Sequence, residues 1–383
     1  MSLSLRINGK RFDFWTSMSV TRAVTQFCHS FTFSAPDALA SGGGWQDILP
    51  MDDVQILAHG ELICTGYIDG ADIEQTPTGT RLTYFGRSKT ADVYDCSAIK
   101  KGNRFSRLTP GAIARDLCAS VGVDVVVQKD GSRLRDFAIT HGESIYDCLL
   151  RACNPYGIQL ITDELGRVVF AKSFANVKPS YRITKDTRGI VSRSRAIDFS
   201  MRHSSIRILS QAGGSNEIGS SASAKFASAT VQDAVVDRPR PLVIEAEDQM
   251  TANELQLRAQ FERNQRTGES DAITYVFQGF IAQDSSIFSP FVAVDVDDIY
   301  CRASGVYGVD AVVMSADASG GTTTSITLIP PQAFGFEPVV QRKKSSARTG
   351  GGGLSQKDIV DMKKYLETIQ ESVKQTNAKD RTR

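Results

Sequence analysis

A chain that is part β and part α+β is what this sequence predicts, with two barrel-like β units and accessory α/β regions. Three observations predict it. Short alternating apolar runs cut by glycine turns fill the first 97 residues, helical spacing takes over beyond Cys96, and alternation returns after residue 268. With 383 residues, 41% hydrophobic and 23% charged, the chain has material for two or three apolar cores.

The first unit begins with LSLRINGKRF, where Leu3, Leu5 and Ile7 alternate before a glycine turn. TQFCHSFTFSA follows, with Phe27, Phe31 and Phe33 on one parity. In VQILAHGELICTGYIDGADI, Val54 and Ile56 precede a His59-Gly60 turn, after which Ile63, Thr65 and Tyr67 alternate; TRLTYFG repeats the pattern at Leu82 and Tyr84. Strands this short predict a small antiparallel barrel or sandwich, because a half-buried sheet has to cover its apolar face. ALASGGGWQDILP interrupts the series as a surface loop, with Trp45, Ile48 and Leu49 to anchor it on the barrel or a neighbouring chain.

Residues 98–189 read as a mixed region. Thr109-Pro110 starts a helix in which Ile113, Leu117 and Val121 share one side. GESIYDCLLRACNPYG, residues 142–157, carries Ile145, Leu149 and Ala152 at helical spacing with Cys148 beside them. Ser144 is placed to cap this helix and Pro155-Tyr156-Gly157 to stop it. IQLIT and GRVVFAK predict a hairpin.

Farther on, VSRSRAIDFSMRHSSIRILSQ predicts one or two strands, divided near His203. AGGSNEIGSSASAKFASATVQ reads as a connection or protruding loop, since small polar side chains supply little core. TANELQLRAQFERNQRTGES resumes helical spacing through Leu255, Leu257 and Phe261. ITYVFQGFI, VAVDVDDIYCRAS, VDAVVMSA and TTTSITLIP then restore strands, a second barrel-like unit with the helix inserted into it. Residues 341–383 read as a flexible basic linker, RKKSSARTGGGG, followed by a helix with Ile359, Met362, Leu366, Ile369 and Val373 at heptad-like spacing. That helix has three candidate docking places: its own chain, a partner, or a symmetry axis.

With 44 Lys/Arg against 43 Asp/Glu, the whole chain has no strong footprint for nucleic acid. Only residues 341–383 are polarised, with 11 basic and 5 acidic side chains, suited to an acidic partner. The seven cysteines, Cys28, Cys64, Cys96, Cys118, Cys148, Cys153 and Cys301, match neither a metal pattern nor a disulfide framework and read as reduced, mostly buried thiols. Neither a secretory signal nor a membrane span is expected.

The densest cluster of reactive residue types is His141, Glu143, Ser144, Asp147, Cys148 and Cys153. Nucleophilic chemistry there would use Ser144 or Cys148 with His141 as base. No G-x-S-x-G elbow surrounds Ser144, and helical packing already explains Cys148, so capping and packing are the expectation. The four histidines, His29, His59, His141 and His203, form no H-E-x-x-H motif, and Cys148 and Cys153 lack a second cysteine pair. Asp295, Asp297 and Asp298 make an incomplete calcium loop and read as a strand edge. Gly86, Arg87, Ser88 and Lys89 lack the glycines of a phosphate loop and read as a strand exit. Arg193, Arg195, Arg202 and Arg207 read first as an ordinary solvated strand, with strand alternation available to divide them between faces; interface electrostatics and nucleic-acid contact are the lesser alternatives. No catalytic, cofactor-binding or metal-ligating residue is assigned, and no enzyme activity is expected.

The order of YFGRSKTADVYDCS, LTPGAIARDLCASVGVDV, GESIYDCLLRACNPYGIQLITDELGRVVF and the later strand-rich stretch resembles the Mu-type phage tail baseplate hub family over most of residues 1–340. The resemblance implies a homotrimer in which each chain supplies two barrel-like tube domains, giving a pseudo-sixfold ring around a channel. It implies a first hub domain at 1–97, a mixed α+β domain at 98–189, a second hub domain from 190–206 with 268–340, and an inserted helical and loop region at 207–267. Sheet edges and loops between Leu3 and Gly86, and between Asp271 and Pro330, would form the ring. Implied partners are a hexameric tail tube, a trimeric central spike and other baseplate proteins, with DNA crossing the channel without specific binding. The implied place is the virion baseplate after assembly in the bacterial host cytoplasm, and the implied role is structural, in contractile-tail assembly and genome ejection. The last segment is expected to be mobile before assembly and to contact a baseplate or spike component afterwards. Two other readings stay open on the residues: a module binding or hydrolysing cell-envelope polymers through exposed tyrosines and acids, and an adaptor in a non-phage contractile injection device.

Overall fold

Leu3, Leu5 and Ile7 alternate inward along β1 (Leu3–Ile7), and Asn8 and Gly9, at φ 49° and 77°, turn the chain into β2 (Lys10–Phe12). A two-residue turn with both φ values positive matches the right-handed twist of paired strands. The same device recurs at His59 and Gly60, φ 48° and 89°, between β5 (Asp53–Ala58) and β6 (Glu61–Thr76). The computed structural model that shows this describes residues 3–36, 48–77, 79–171, 178–211, 226–246, 252–317 and 321–334. The glycine loop with Trp45, the SNEIGSS stretch and the linker and helix at 341–383 lie outside the described residues.

Three more strands complete the first unit: β3 (Ser17–Ala23), β4 (Ser30–Pro36) and β7 (Gly79–Ser88). They lie in the order β3-β4-β7-β6-β5-β1-β2, all antiparallel. Phe31, Phe33 and Tyr84 fill its core. Gly86 is required where β4, β6 and β7 cross, since a Cβ there would meet the Tyr67 carbonyl oxygen at 2.2 Å and the Phe31 ring at 2.5 Å.

The mixed region follows. It contains α1 (Ala91–Asp95), β8 (Arg104–Leu108), α2 (Pro110–Ala119), β9 (Val125–Val127), β10 (Leu134–Ala138), α3 (Ile145–Cys153), β11 (Gln159–Thr162) and β12 (Val168–Ala171). Thr109 caps α2, its hydroxyl accepting from the Ala112 N–H at 3.3 Å with Pro110 in the first turn, where a missing N–H costs nothing. A 3₁₀ turn over Asn154–Tyr156 and Gly157 in the left-handed region end α3. Ile113, Leu117, Cys148, Leu149 and Phe170 share one core with Phe27, which reaches in from the β3–β4 connection.

The chain then re-enters the main sheet with β13 (Tyr181–Thr184) and β14 (Ile190–Ile197). An insertion carries β15 (Ser205–Gln211), β16 (Phe226–Gln232), β17 (Pro241–Glu245) and α4 (Ala252–Glu269), with Ile206, Ile208 and Val231 packed on Leu255 and Ala259. The second unit closes with β18 (Asp271–Gln278), β19 (Ala293–Asp298), β20 (Ala303–Asp317) and β21 (Gly321–Ile329). Among the described residues no helix is long and apolar enough to cross a membrane.

Two boundaries differ from the sequence reading. The mixed region expected to run to 189 ends earlier, because β13 pairs in parallel with β19, Tyr181 opposite Val294. The edge expected at 206/207 falls inside β15, which belongs wholly to the insertion. The two β units are also spliced: β3 pairs with β20, so among the described residues thirteen strands form one hydrogen-bonded sheet over one apolar cluster that runs from Leu5 and Phe33 to Tyr275 and Met314.

Within that sheet the second unit repeats the first. Strands β14-β18-β21-β20-β19-β13 lie in the order of β3-β4-β7-β6-β5-β1. Both long strands, β6 and β20, carry a bulge against their hairpin partner, at Ile68/Gly70 and Val309/Ala311, and the residue skipped is aspartate in each, Asp69 and Asp310. A bulge bends its strand at a fixed register, so these two positions align the repeats residue by residue. One difference stands out: β1 is antiparallel to β5, whereas β13 is parallel to β19.

Candidate assembly interface

The reactive cluster of α3 is occupied by folding. Ser144 is the N-cap, its Oγ accepting from the Asp147 N–H at 3.0 Å and donating to Asp147 Oδ2 at 2.8 Å. Glu143 Oε1 accepts from Arg151 Nη2 at 2.8 Å and from the Thr140 N–H at 2.6 Å, and the Arg151 guanidinium lies 4.3 Å over the Phe137 ring. Cys148 and Cys153 are fully buried; burial pushes the Cys148 thiol up to about 12 and the Cys153 thiol well above its ordinary value. Protonated thiols in an apolar core are packing groups rather than nucleophiles. His141 is exposed and hydrogen-bonded to neither Ser144 nor Cys148.

The acidic run and the arginines are drawn apart in the same way. Asp295 and Asp297 face outward on β19 and meet Arg182 of β13 at 3.3 and 2.9 Å, while Asp298 turns inward, accepting from the Tyr275 hydroxyl at 3.2 Å and pairing with Arg193 at 3.4 Å. Arg195 forks onto Asp271 at 2.8 and 2.9 Å, and Arg202 onto Asp233 at 2.5 and 3.2 Å. Arg207 sits apart on β15, donating to Ser228 Oγ at 3.2 Å. Arg193 and Arg195 share a face of β14 but are taken up by Asp298 and Asp271, Arg202 by Asp233, and Arg207 lies in a separate sheet, so these four side chains do not form a common basic face. Arg87, from the phosphate-loop candidate, bridges Asp69 and Asp95, both at 2.7 Å.

Hydroxyls tie the first unit to the mixed region. Ser88 Oγ accepts from the His29 N–H at 3.0 Å and bonds Thr90 at 2.7 Å; Thr90 bonds Thr162 at 2.8 Å, and Thr162 donates to the Phe27 carbonyl. Thr65 Oγ1 donates to the Glu164 carbonyl at 3.0 Å.

The splice between the two β units is a continuous run of strand pairing. β3 runs antiparallel to the second half of β20, from Ala23 opposite Ala311 to Ser17 opposite Asp317. Val20 and Met18 face Met314 and Ala316 on the core side, and the Ser19 and Ser315 hydroxyls meet at 3.3 Å on the other. Asp310, at the bulge, holds the end of β3: its carboxylate accepts from the Thr25 N–H at 3.1 Å and hydroxyl at 3.0 Å, and its carbonyl from the Val24 N–H at 2.8 Å.

The repeat contains a second pair of such edges, and among the described residues these have no strand beside them. β14, in the place of β3, ends the sheet. β5 follows β6 only to Tyr67, leaving the outer edge beyond Gly70 uncovered. Ile73 is 72% exposed, whereas Met314, its equivalent in β20, is 0% exposed. The span Leu3 to Gly86, whose edges the resemblance implies for the ring, contains both, but neither β3 nor this edge is named by itself in the sequence reading; the alternation of Met18 and Val20 was the available signal for β3.

Comparison with known proteins fits this architecture. Residues 2–88 match the model described as Mu phage baseplate assembly protein GpP-like, N-terminal, and residues 90–172 match baseplate hub protein gp44-like, second domain. The chain is 27% identical over 361 residues to baseplate hub protein gp44 of Escherichia phage Mu, covering 92% of this chain and 94% of that one. Among solved structures, the prophage MuSo2 43 kDa tail protein from Shewanella oneidensis shares the fold with TM-score 0.74 at 23% identity, over 88% of this chain and 100% of that one. A tail protein from Neisseria meningitidis MC58 also gives TM-score 0.74, at 19% identity over 87% and 97%. The E. coli c3393 protein, described as a type VI secretion component similar to the T4 tail proteins gp27 and gp5, gives 0.54 at 13% identity over 90% and 81%. With residues 2–88 and 90–172 matched in order and 92% of the chain aligned to a hub protein, the comparisons support the Mu-type phage tail baseplate hub family for this chain.

Proposed function

We propose that three copies of this chain form a pseudo-sixfold ring that joins a hexameric tail tube to a trimeric central spike and supports genome delivery through a contractile tail. The observation that carries this reading is the repeat of β3–β7 in β14–β21, spliced within one sheet. Two similar units per chain let a threefold assembly offer six near-equivalent surfaces to a sixfold tube while the threefold axis remains for the spike. Each unit is then one wall segment of a barrel around the bore, and DNA passes without specific binding. Glu143, Asp233 and Asp271 are committed to Arg151, Arg202 and Arg195, which supports a structural role over hydrolysis of envelope polymers.

Light scattering on the concentrated full-length chain, with cryo-electron microscopy free of imposed symmetry, tests the proposal. Three copies around an open axis are expected. Repeats that face unrelated directions, or a centre filled by the β units, would overturn it.

A further inference from the structure

We infer that the outer end of the antiparallel ribbon formed by β8 and β10 is a docking surface for the phosphate backbone of duplex DNA, with Arg107, Arg133 and Arg135 as its contacts. The inference is independent of the trimer, because every residue in it belongs to the mixed region of one chain.

Charge is the first ground. Residues 98–140 hold 8 basic and 4 acidic side chains, against 25 and 34 in the rest of residues 1–340. Three of the four acids are already engaged: Asp116 by Lys100 at 2.5 Å, Asp136 by Arg104 at 3.2 Å, and Asp130 by the Gly111 and Gly131 N–H groups at 2.9 and 2.8 Å. Lys101, Arg107, Arg115, Arg133 and Arg135 are exposed, and among the described residues none of the five forms an ion pair or a side-chain hydrogen bond.

Geometry gathers three of them. Phe105 and Phe137 are opposed and buried, which fixes the ribbon on the mixed core. Arg107 and Arg135, the next pair of the same parity, stand between the pairs Leu108 with Leu134 and Ser106 with Asp136, yet both are exposed. The backbone accounts for the change, since Arg107 has φ 55° and the ribbon leaves the core there. Arg133 follows a loop that Gly131 seats on the Tyr156 ring, where a Cβ would come within 2.4 Å. Like charges directly opposed on paired strands disfavour the pairing, and a left-handed arginine adds strain. An uncompensated charge on a strained backbone points to a ligand of opposite sign.

The side chains select duplex DNA among anions. Protein–protein interfaces are built on an apolar centre, but of the large apolar side chains on these two strands only Leu108 is exposed, at 36%. Protein–DNA interfaces are more polar and much more positive. Single strands are held by stacking on aromatic rings, and the two rings of the ribbon, Phe105 and Phe137, face the core. Arginines on phosphates read no sequence and let a protein slide along DNA, in keeping with DNA that passes without specific binding.

Fluorescence anisotropy of the full-length chain with a short labelled duplex, repeated over a range of salt concentrations, tests the surface. Each phosphate contact contributes about 0.9 to the slope of log K against log salt. Arg107→Gln, Arg133→Gln and Arg135→Gln together are expected to lower that slope by roughly 2–3, equally for duplexes of unrelated sequence. Arg133→Gln alone, which lies outside both strands, is expected to lower it by about 1 and serves where the triple variant does not fold. A slope unchanged in these variants overturns the inference and moves the binding to another basic stretch, such as residues 341–383. Absence of duplex binding at low salt overturns it as well. Poly-glutamate that displaces the duplex at equal charge overturns it in favour of an acidic protein partner. Each of these outcomes leaves the proposed trimer untouched.

Discussion

The two β units share a strand order and a bulge, yet they fill equivalent positions with different chemistry. Where the first unit has Val20, the second has Arg195; where the first has His29, immediately before β4, the second has Asp271 at the start of β18. Val20 and His29 are both fully buried, and no hydrogen-bond partner reaches either His29 ring nitrogen. Arg195 and Asp271 instead form a forked ion pair with little exposure. The fold is therefore carried by pleat, register and the bulge, and it tolerates a buried charge where the opposite charge comes with it. Removing one partner of a buried pair costs far more than replacing both by apolar groups.

Asp271→Ala should produce the largest effect, about 3–5 kcal/mol in urea unfolding, because it strands the Arg195 guanidinium. Adding Arg195→Val, which restores the residue of the first unit, should recover most of that loss. A double variant as unstable as Asp271→Ala alone would break the comparison. Next, Met314→Ala should cost about 2–5 kcal/mol by opening a cavity in the common core. Its equivalent, Ile73→Ala, should leave monomer stability within about 0.5 kcal/mol. Equal losses at the two sites would show that the β6 edge is covered within one chain.

The third effect depends on pH. Burial, with Arg22 nearby, holds the His29 pKa down to about 3 from 6.5. The folded state thus binds this proton more weakly than the unfolded chain. Its contribution is complete above the unfolded value and is lost as pH falls from about 6.5 towards 3, at up to about 1.4 kcal/mol per pH unit. His29→Leu should flatten the stability profile in that window, as read by urea midpoints across the acid range. An unchanged slope would assign the acid sensitivity to other groups.

Local signals made much of the molecule legible before the structure. The His59-Gly60 hairpin, the Thr109 and Ser144 caps and the β11–β12 hairpin each rest on residues within a few positions of one another. What escaped was non-local. β3 mixes Met18 and Val20 with serine and threonine, too few large apolar residues to stand out, and its partner β20 lies almost 300 residues away in the chain. Phe27 shares the parity of Phe31 and Phe33, but the chain turns before β4 and sends its ring into the mixed core. The parallel pairing of β13 with β19 leaves no local mark, which is why a boundary at 189 looked natural. Within the candidate interface, Ile73 in ADIEQ reads like any half-buried strand residue; only the strand order shows that its side of the sheet is open.

Phe27 also decides how force would travel. Its ring lies 4.5 Å from Tyr146 in the mixed core, Thr162 grips its carbonyl, and two residues earlier Thr25 is fastened to Asp310. One short turn is thus moored to three parts of the molecule. A tug on the helices of the mixed region would reach both β units together, leaving no slack hinge between that region and the main sheet.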